Sequence, residues 1–347
     1  MNRLARGWAT RRWRAVVVGV FLATALLATF VSVGFGSGQR AAWIAYVRHD
    51  DVYVIDPATG ETHRLTEGRA VRWAVGLAGD VSISPDGSEV AYTVPVAKKG
   101  RYRYARTIDV QPVSGGAARD VTPWNSVGYD GQVQSEPRHI DPHWLDSTHL
   151  DYTDDLQSNG QSYGIAMTVD VTNGRHGHAR VPDGVERQVI EPFVAAGRYT
   201  AYPVLLRRAY DCASTLDLAR AAGSAQVRLS YTPLDDEEPL DVDAAGDVLA
   251  MRFWVVSGAH NGLCLLNGTG SLTYELVAFS GDGSTRVLGR FPDIKVGVSG
   301  TGPNFDAAWS PDGTQIAYVD PSGDLMVATP GYASRKLVAG GVEALDW

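Results

Sequence analysis

Cysteine is almost missing from this chain: Cys212 and Cys264 are the only two in 347 residues. That excludes a disulfide-rich scaffold and a multi-cysteine metal site. The sequence has no Gly-x-Ser-x-Gly elbow, no His-Glu-x-x-His, no phosphate-binding loop and no dinucleotide fingerprint. The common hydrolase, zinc-peptidase, nucleotidase and dehydrogenase signatures are therefore absent. Acidic residues do not occur before Asp50, and only one apolar run is long, residues 15–33. Later apolar runs are strand-length, so no second membrane span is expected. What is present is ordinary for a globular domain, 44% hydrophobic and 20% charged residues. The formal charge is −8. Six of the 31 basic residues and none of the 39 acids fall in the first 40 residues, which leaves −14 on the rest. Such a balance argues against nucleic acid and against anionic lipid surfaces as partners.

One pattern repeats. Ile83-Ser84-Pro85-Asp86-Gly87 leads to Val90-Ala91-Tyr92, and Trp309-Ser310-Pro311-Asp312-Gly313 leads to Ile316-Ala317-Tyr318. Glycine supplies the positive φ of a tight turn, and Pro and Asp favour the positions ahead of it. The apolar stretch that follows suits a buried strand. Looser copies end at Tyr46, Tyr152, Tyr202 and Met251. The six markers recur on average roughly every 54 residues, close to the ~40–50 of blade repeats. A hairpin follows most of them, as at Val52–Ile55 and Arg64–Thr66, so each unit holds four strands. The first unit lacks its inner strand, and Val342–Trp347 supplies an apolar candidate for it. The expected fold is all-β: a six-bladed β-propeller closed by its C-terminal strand, which leaves no exposed sheet edge between first and last repeats. The alternative is a β-sandwich with unrelated Ser-Pro-Asp-Gly turns.

The turn-and-strand motif resembles the TolB-like, WD40-like (PD40) six-bladed propeller family over residues 41–347. That resemblance implies the fold more than an activity, because the family spans envelope scaffolds, peptidase propellers and polysaccharide lyases. It also implies that the strand before each Ser-Pro-Asp-Gly turn is innermost and faces a central channel.

Residues 1–14 read as a basic cytoplasmic tail, with Arg3, Arg6, Arg11, Arg12 and Arg14, and 15–33 as a transmembrane signal anchor. The positive-inside rule puts the N-terminus inside and the propeller outside the cytoplasmic membrane. A cleaved signal peptide is the competing reading. The stretch 33–38 offers no clean small-x-small site, so retention is expected. Residues 34–40 form a short linker. Cys212 and Cys264 lie ten and thirteen residues past Tyr202 and Met251, which predicts one bridge between blades four and five, or else two buried thiols.

Chemistry is sought where chain enters the inner strands. His139, Asp141 and His143 alternate, so an extended strand places them on one face as three potential ligands for one divalent metal ion. A polar channel mouth without metal or any cofactor is the plainer reading. Asp306 and Asn304 match Asp141 and His139 when counted back from Trp309 and Trp144. A recurring Asp either meets a ligand or bonds a neighbouring blade. Trp124 and Tyr129 lie in the long polar stretch 122–138, and such loops often carry binding residues. The leading expectation is a membrane-anchored extracytoplasmic module that binds an envelope protein, peptide or glycan through Asp141, Asp306, Asn304, His139, Trp124 and Tyr129. The rival is a metal-assisted polysaccharide enzyme using His139, Asp141 and His143.

Overall fold

A computed structural model of the chain describes residues 43–67, 81–95, 105–123, 126–127, 133–134, 139–158, 161–179, 194–196, 199–205, 214–220, 227–228, 236–243, 245–260, 266–280, 284–296 and 305–347. Met1–Arg40 and Ala41–Trp347 are separate units, and the expected anchor, 15–33, lies outside the described residues. Among the described residues no helix is long and apolar enough to cross a membrane.

Every regular element described is a strand. Six four-stranded antiparallel sheets and one small pair account for them. The first sheet is β1 (Ile44–Arg48), β2 (Asp51–Ile55) and β3 (Thr62–Arg64), with β26 (Val342–Asp346) on the other side of β1. The second holds β4 (Val81–Ile83), β5 (Glu89–Pro95), β6 (Arg106–Pro112) and β7 (Arg119–Asp120) in that order. The pair β8 (Ser126–Val127) and β9 (Val133–Gln134) follows. The third sheet is β10 (His139–Trp144), β11 (His149–Ser158), β12 (Gln161–Asp170) and β13 (Arg175–His178). The fourth is β14 (Val194–Ala196), β15 (Tyr199–Leu205), β16 (Ser214–Arg220) and β17 (Val227–Arg228). The fifth is β18 (Asp236–Val242), β19 (Val248–His260), β20 (Leu266–Phe279) and β21 (Thr285–Val296). The sixth is β22 (Ala307–Trp309), β23 (Ile316–Val319), β24 (Leu325–Ala328) and β25 (Arg335–Val338).

Why these sequences form such sheets is visible in β1. Its side chains alternate between faces, yet both faces are covered. Ile44 and Tyr46 pack with Ala317, Leu325 and Trp347 on the sixth-sheet side. Ala45 and Val47 pack with Val81, Val90 and Tyr92 of the second sheet. Burial on both sides turns the usual polar–apolar alternation into a continuous apolar run. The second and third sheets share Ala91, Ile108, Trp144 and Leu150. The fifth and sixth share Leu249, Met251, Trp309 and Ile316. The core is therefore a series of layers between neighbouring sheets.

The Ser-Pro-Asp-Gly turns are built alike. Ser84 Oγ donates to Asp86 Oδ1 at 2.6 Å and accepts from Glu89 N at 3.0 Å. Ser310 Oγ donates to Asp312 Oδ1 at 2.6 Å and accepts from Gln315 N at 2.9 Å. Gly87 and Gly313 sit at φ of 71° and 68°, where L side chains are disfavoured.

The first strands in sheet order, called inner strands below, pack in series: β26 against β4, β4 against β10, β10 against β14, β14 against β18, β18 against β22, and β22 against β26. The tail strand β26 pairs with β1 in the register Tyr46↔Leu345. That register matches Tyr92↔Val81 and Tyr318↔Ala307 in the second and sixth sheets. The strand β26 thus fills the place that β4 and β22 fill in their own sheets.

Candidate functional site

The register defines one tier of inner-strand residues. Opposite the residue before each tyrosine marker stand Asp346 (across from Ala45), Ser82 (Ala91), His143 (Asp151) and Ala308 (Ala317). Asp241 of β18 approaches the same tier through a bulge between Pro239 and Asp241. In the third sheet the small residue of the repeat is replaced by Asp151, so His143 and Asp151 face each other across β10 and β11. Asp241 lies within electrostatic reach of both Asp346 and His143. Side chains from the first, third and fifth sheets therefore converge.

Each carboxylate is held differently. Asp346 accepts from Ser82 Oγ at 2.7 Å and Ile83 N at 2.8 Å through Oδ2, and from Trp347 N through Oδ1. Asp241 accepts from Trp309 N at 2.6 Å and from its own neighbour Val242 N at 2.7 Å. The same device recurs at Asp306, which accepts from Leu345 N at 2.7 Å and Ala307 N at 2.9 Å. Three aspartates thus tie one inner strand to the next through backbone N–H groups. Two tryptophans add to it: Trp144 Nε1 donates to Ser82 O and Trp309 Nε1 to Asp247 O, both at 3.2 Å.

Burial sets the protonation. Asp151, 3% exposed, has its carboxyl pushed up to about 7 by loss of hydration, with His143 pulling against the rise. Asp241 also rises to about 7, first through lost hydration, then through the charge of Asp346. Both therefore exchange protons near neutrality, where a free carboxyl would be fully ionised.

The residues singled out from sequence are placed as follows. Asp306 is 3% exposed and spends both oxygens on backbone bonds, so of the two roles open to a recurring Asp it takes the inter-sheet bond. His139 is fully buried, 5.1 Å edge-on from the Tyr152 ring and 3.8 Å from Asp154 Oδ1. Burial, and then the charge of His176, lowers it to about 3, so it is neutral. The even alternation expected of His139, Asp141 and His143 fails. A bulge lies between Ile140 and His143, Asp141 adopts φ of 52°, and Pro142 has no N–H to pair. Asp141 and His143 are half-buried while His139 is enclosed. Among the described residues no three His, Cys, Asp or Glu side chains group so as to hold a metal ion. Asn304, Trp124, Tyr129, Cys212 and Cys264 lie outside the residues whose side chains are described.

Sequence reasoning passed over Asp151 and Asp346. The signal for the first was Leu150-Asp151-Tyr152, a carboxylate where the other repeats carry alanine. For the second it was the acid inside the apolar tail.

No family profile matches the sequence, and no curated protein matches it. Solved structures do resemble it. TolB from Acinetobacter baumannii aligns with a TM-score of 0.54 at 14% identity, over 89% of this chain and 67% of that one. The periplasmic gluconolactonase of Pseudomonas aeruginosa aligns at 0.38 and 15%, over 87% and 98%. A puromycin-hydrolysing peptidase of Mycobacterium tuberculosis aligns at 0.43 and 13%, over 86% and 54%. The first likeness identifies the fold as a TolB-like β-propeller and carries nothing about activity. The two enzymes align too loosely to bear on the argument.

Proposed function

We propose that the chain is an extracytoplasmic six-bladed propeller, closed by β26 and tethered to the cytoplasmic membrane through residues 15–33. In this reading it binds a basic segment of an envelope protein or peptide at the inner-strand tier, without covalent chemistry. The repeated Ser-Pro-Asp-Gly turn supports membership of the WD40-like (PD40) group, and the serial packing of inner strands supports the closed ring. The arginine-rich, acid-free start supports the topology. One observation carries the binding reading: His143, Asp151, Asp241 and Asp346, from three separate sheets, converge. An acidic tier in a domain of charge −14 attracts basic groups and repels acidic ones. A carboxyl near its midpoint at neutral pH ionises fully when a Lys or Arg arrives, which gains charge-assisted hydrogen bonds.

The test is site-specific photocrosslinking in intact envelopes, with the photoreactive residue at position 143 or, as the comparison, at Tyr332. Tyr332 is 78% exposed on a turn between β24 and β25. Capture of one partner from position 143 but not from 332, abolished by added salt, is expected. Equal capture from both positions, or none from 143, defeats the reading.

A further inference from the structure

A second site lies away from the inner strands. A groove of about 690 Å³ opens between the outer strand of the first sheet and two turns of the second. Its lining includes Trp43, His63, Arg64, Leu65, Ser88 and Ser114, together with the backbone of Gly87 and Gly115. The volume is that of a small-molecule site. None of the tier residues contributes to it.

The walls are fixed before any ligand arrives. Gln111 Nε2 donates to Leu65 O at 3.1 Å and to Gly116 O at 2.9 Å, so one buried amide ties the two sheets beneath the groove. Tyr92 Oη donates to Gln111 Oε1 at 2.8 Å and holds that amide in place. Arg64 is pinned by Asp51 Oδ2 at 2.6 Å and by Thr66 O at 2.8 Å. A preformed wall reduces the ordering cost of binding.

The lining selects a chemistry by exclusion. No carboxylate lines the groove among the described residues, so a cationic ligand finds no counter-charge in a chain that is otherwise acidic. The two basic groups already have partners, Asp51 for Arg64 and Glu61 for His63 at 3.2 Å. The one permanent cation, Arg64, is thus already paired with Asp51, which disfavours a polyanion. What remains is aromatic and hydroxylic. The Trp43 and His63 rings meet at 5.3 Å and 58°, and this makes a corner of two planes beside Leu65 and Val113. Ser88 and Ser114 are exposed; the Ser88 hydroxyl donates to Asp86 Oδ1 at 2.7 Å, which leaves its oxygen to accept, and Ser114 offers a hydroxyl that donates or accepts. At Gly115 the groove is open: a Cβ there would meet nothing within 4 Å.

A ligand with one apolar face and a rim of neutral hydroxyls fits that set. We infer that this groove binds a neutral hexopyranose chain, with the C–H face of a sugar ring against Trp43 and its hydroxyls directed to Ser88 and Ser114. A flat, half-buried indole supplies contact area at little entropic cost.

The experiment uses the full chain in a detergent without a sugar headgroup. Neutral gluco-, galacto- and manno-configured tetrasaccharides, with an acidic tetrasaccharide for comparison, are followed by saturation-transfer NMR and calorimetry. Binding of at least one neutral member is expected, weakened by about tenfold or more in Trp43→Ala and largely kept in Trp43→Phe. Because Trp43→Ala could disturb folding, Ser114→Tyr, on an exposed turn, serves as a second variant that fills the groove. It is expected to melt as the parent does and to lose the sugar. Absence of neutral binding, preference for the acidic sugar, or undiminished binding by folded Ser114→Tyr overturns the inference.

Discussion

Asp151 and Asp241, inside strands, titrate in the opposite direction from Asp86 and Asp312, in turns. Ser84 and Ser310 donate hydroxyl bonds that hold Asp86 and Asp312 below the ordinary value. Asp151 has lost water, and its carboxyl is up at about 7. A folded value raised above the unfolded one means that the native state holds the proton more tightly. The contribution of Asp151 to stability is thus present in full below about pH 4 and lost as pH rises through 7. Melting of the parent is expected to fall by roughly a few degrees between pH 5 and 8. The slope should be reduced in Asp151→Asn, whose side chain stays neutral throughout, and Asp241 should supply what slope remains. An identical slope in parent and variant would contradict this placement of the proton. At this scale the sequence disclosed part of the site. His143 and Asp141 were legible as polar residues on an inner strand. The bulge that separates them from His139 was not, because a left-handed φ at Asp141 has no signature beyond the adjacent proline. Asp151 looked like a faulty copy of a repeat, yet the deviation from the repeat was itself the information.

At the scale of elements, the hairpin from β1 to β2 shows how neighbouring sheets constrain each other. Its two-residue turn, His49 and Asp50, has φ of 51° and 63°, the left-handed pair that right-twisted strands favour in tight hairpins. His49 rests on Gly341, where an added Cβ would come within 2.6 Å of His49 Nε2. Arg48 Nη2 donates to Ala339 O at 3.0 Å beside it. Gly341 itself sits at φ of 77°. Gly341→Ala is therefore expected to cost about 1–3 kcal/mol from backbone strain, with steric overlap added. In the double variant with His49→Ala only the overlap should be relieved, so chemical denaturation should show partial recovery. Full recovery would place the whole cost in the contact, and none would place it in the backbone. The strands with a strong repeat were legible in outline, since apolar runs flanked by Asp-Gly turns leave few alternatives. The pair β8 and β9 was read as loop because two-residue strands carry no periodicity.

For the whole molecule the governing feature is that β26 stands beside β1. Val342, Ala344, Leu345 and Trp347 are all buried there, at 3%, 3%, 3% and 8% exposure. Val342 and Leu345 are each worth about 1.5–3 kcal/mol on burial, with Ala344 and Trp347 adding to them, so this strand contributes a large share of the ~5–15 kcal/mol that holds a typical domain together. Removing residues 342–347 is expected to abolish cooperative melting and expose dye-binding apolar surface. A truncated chain that melts as the parent does would show that the first sheet stands without its inner strand. The pairing of β26 with β1 was legible in the sequence because the apolar tail suits the strand that the first repeat lacks, which is a property of pattern rather than of packing. That arrangement also has a consequence in time. A chain made from its N-terminus presents β1, β2 and β3 long before β26 exists, because Val342 lies 278 positions beyond Arg64 (342 − 64). At ~5–20 residues per second the head waits tens of seconds with an open backbone edge. For that interval the protein is its own unfinished substrate, and whatever shields the open edge of β1 decides whether the newborn chain matures or aggregates.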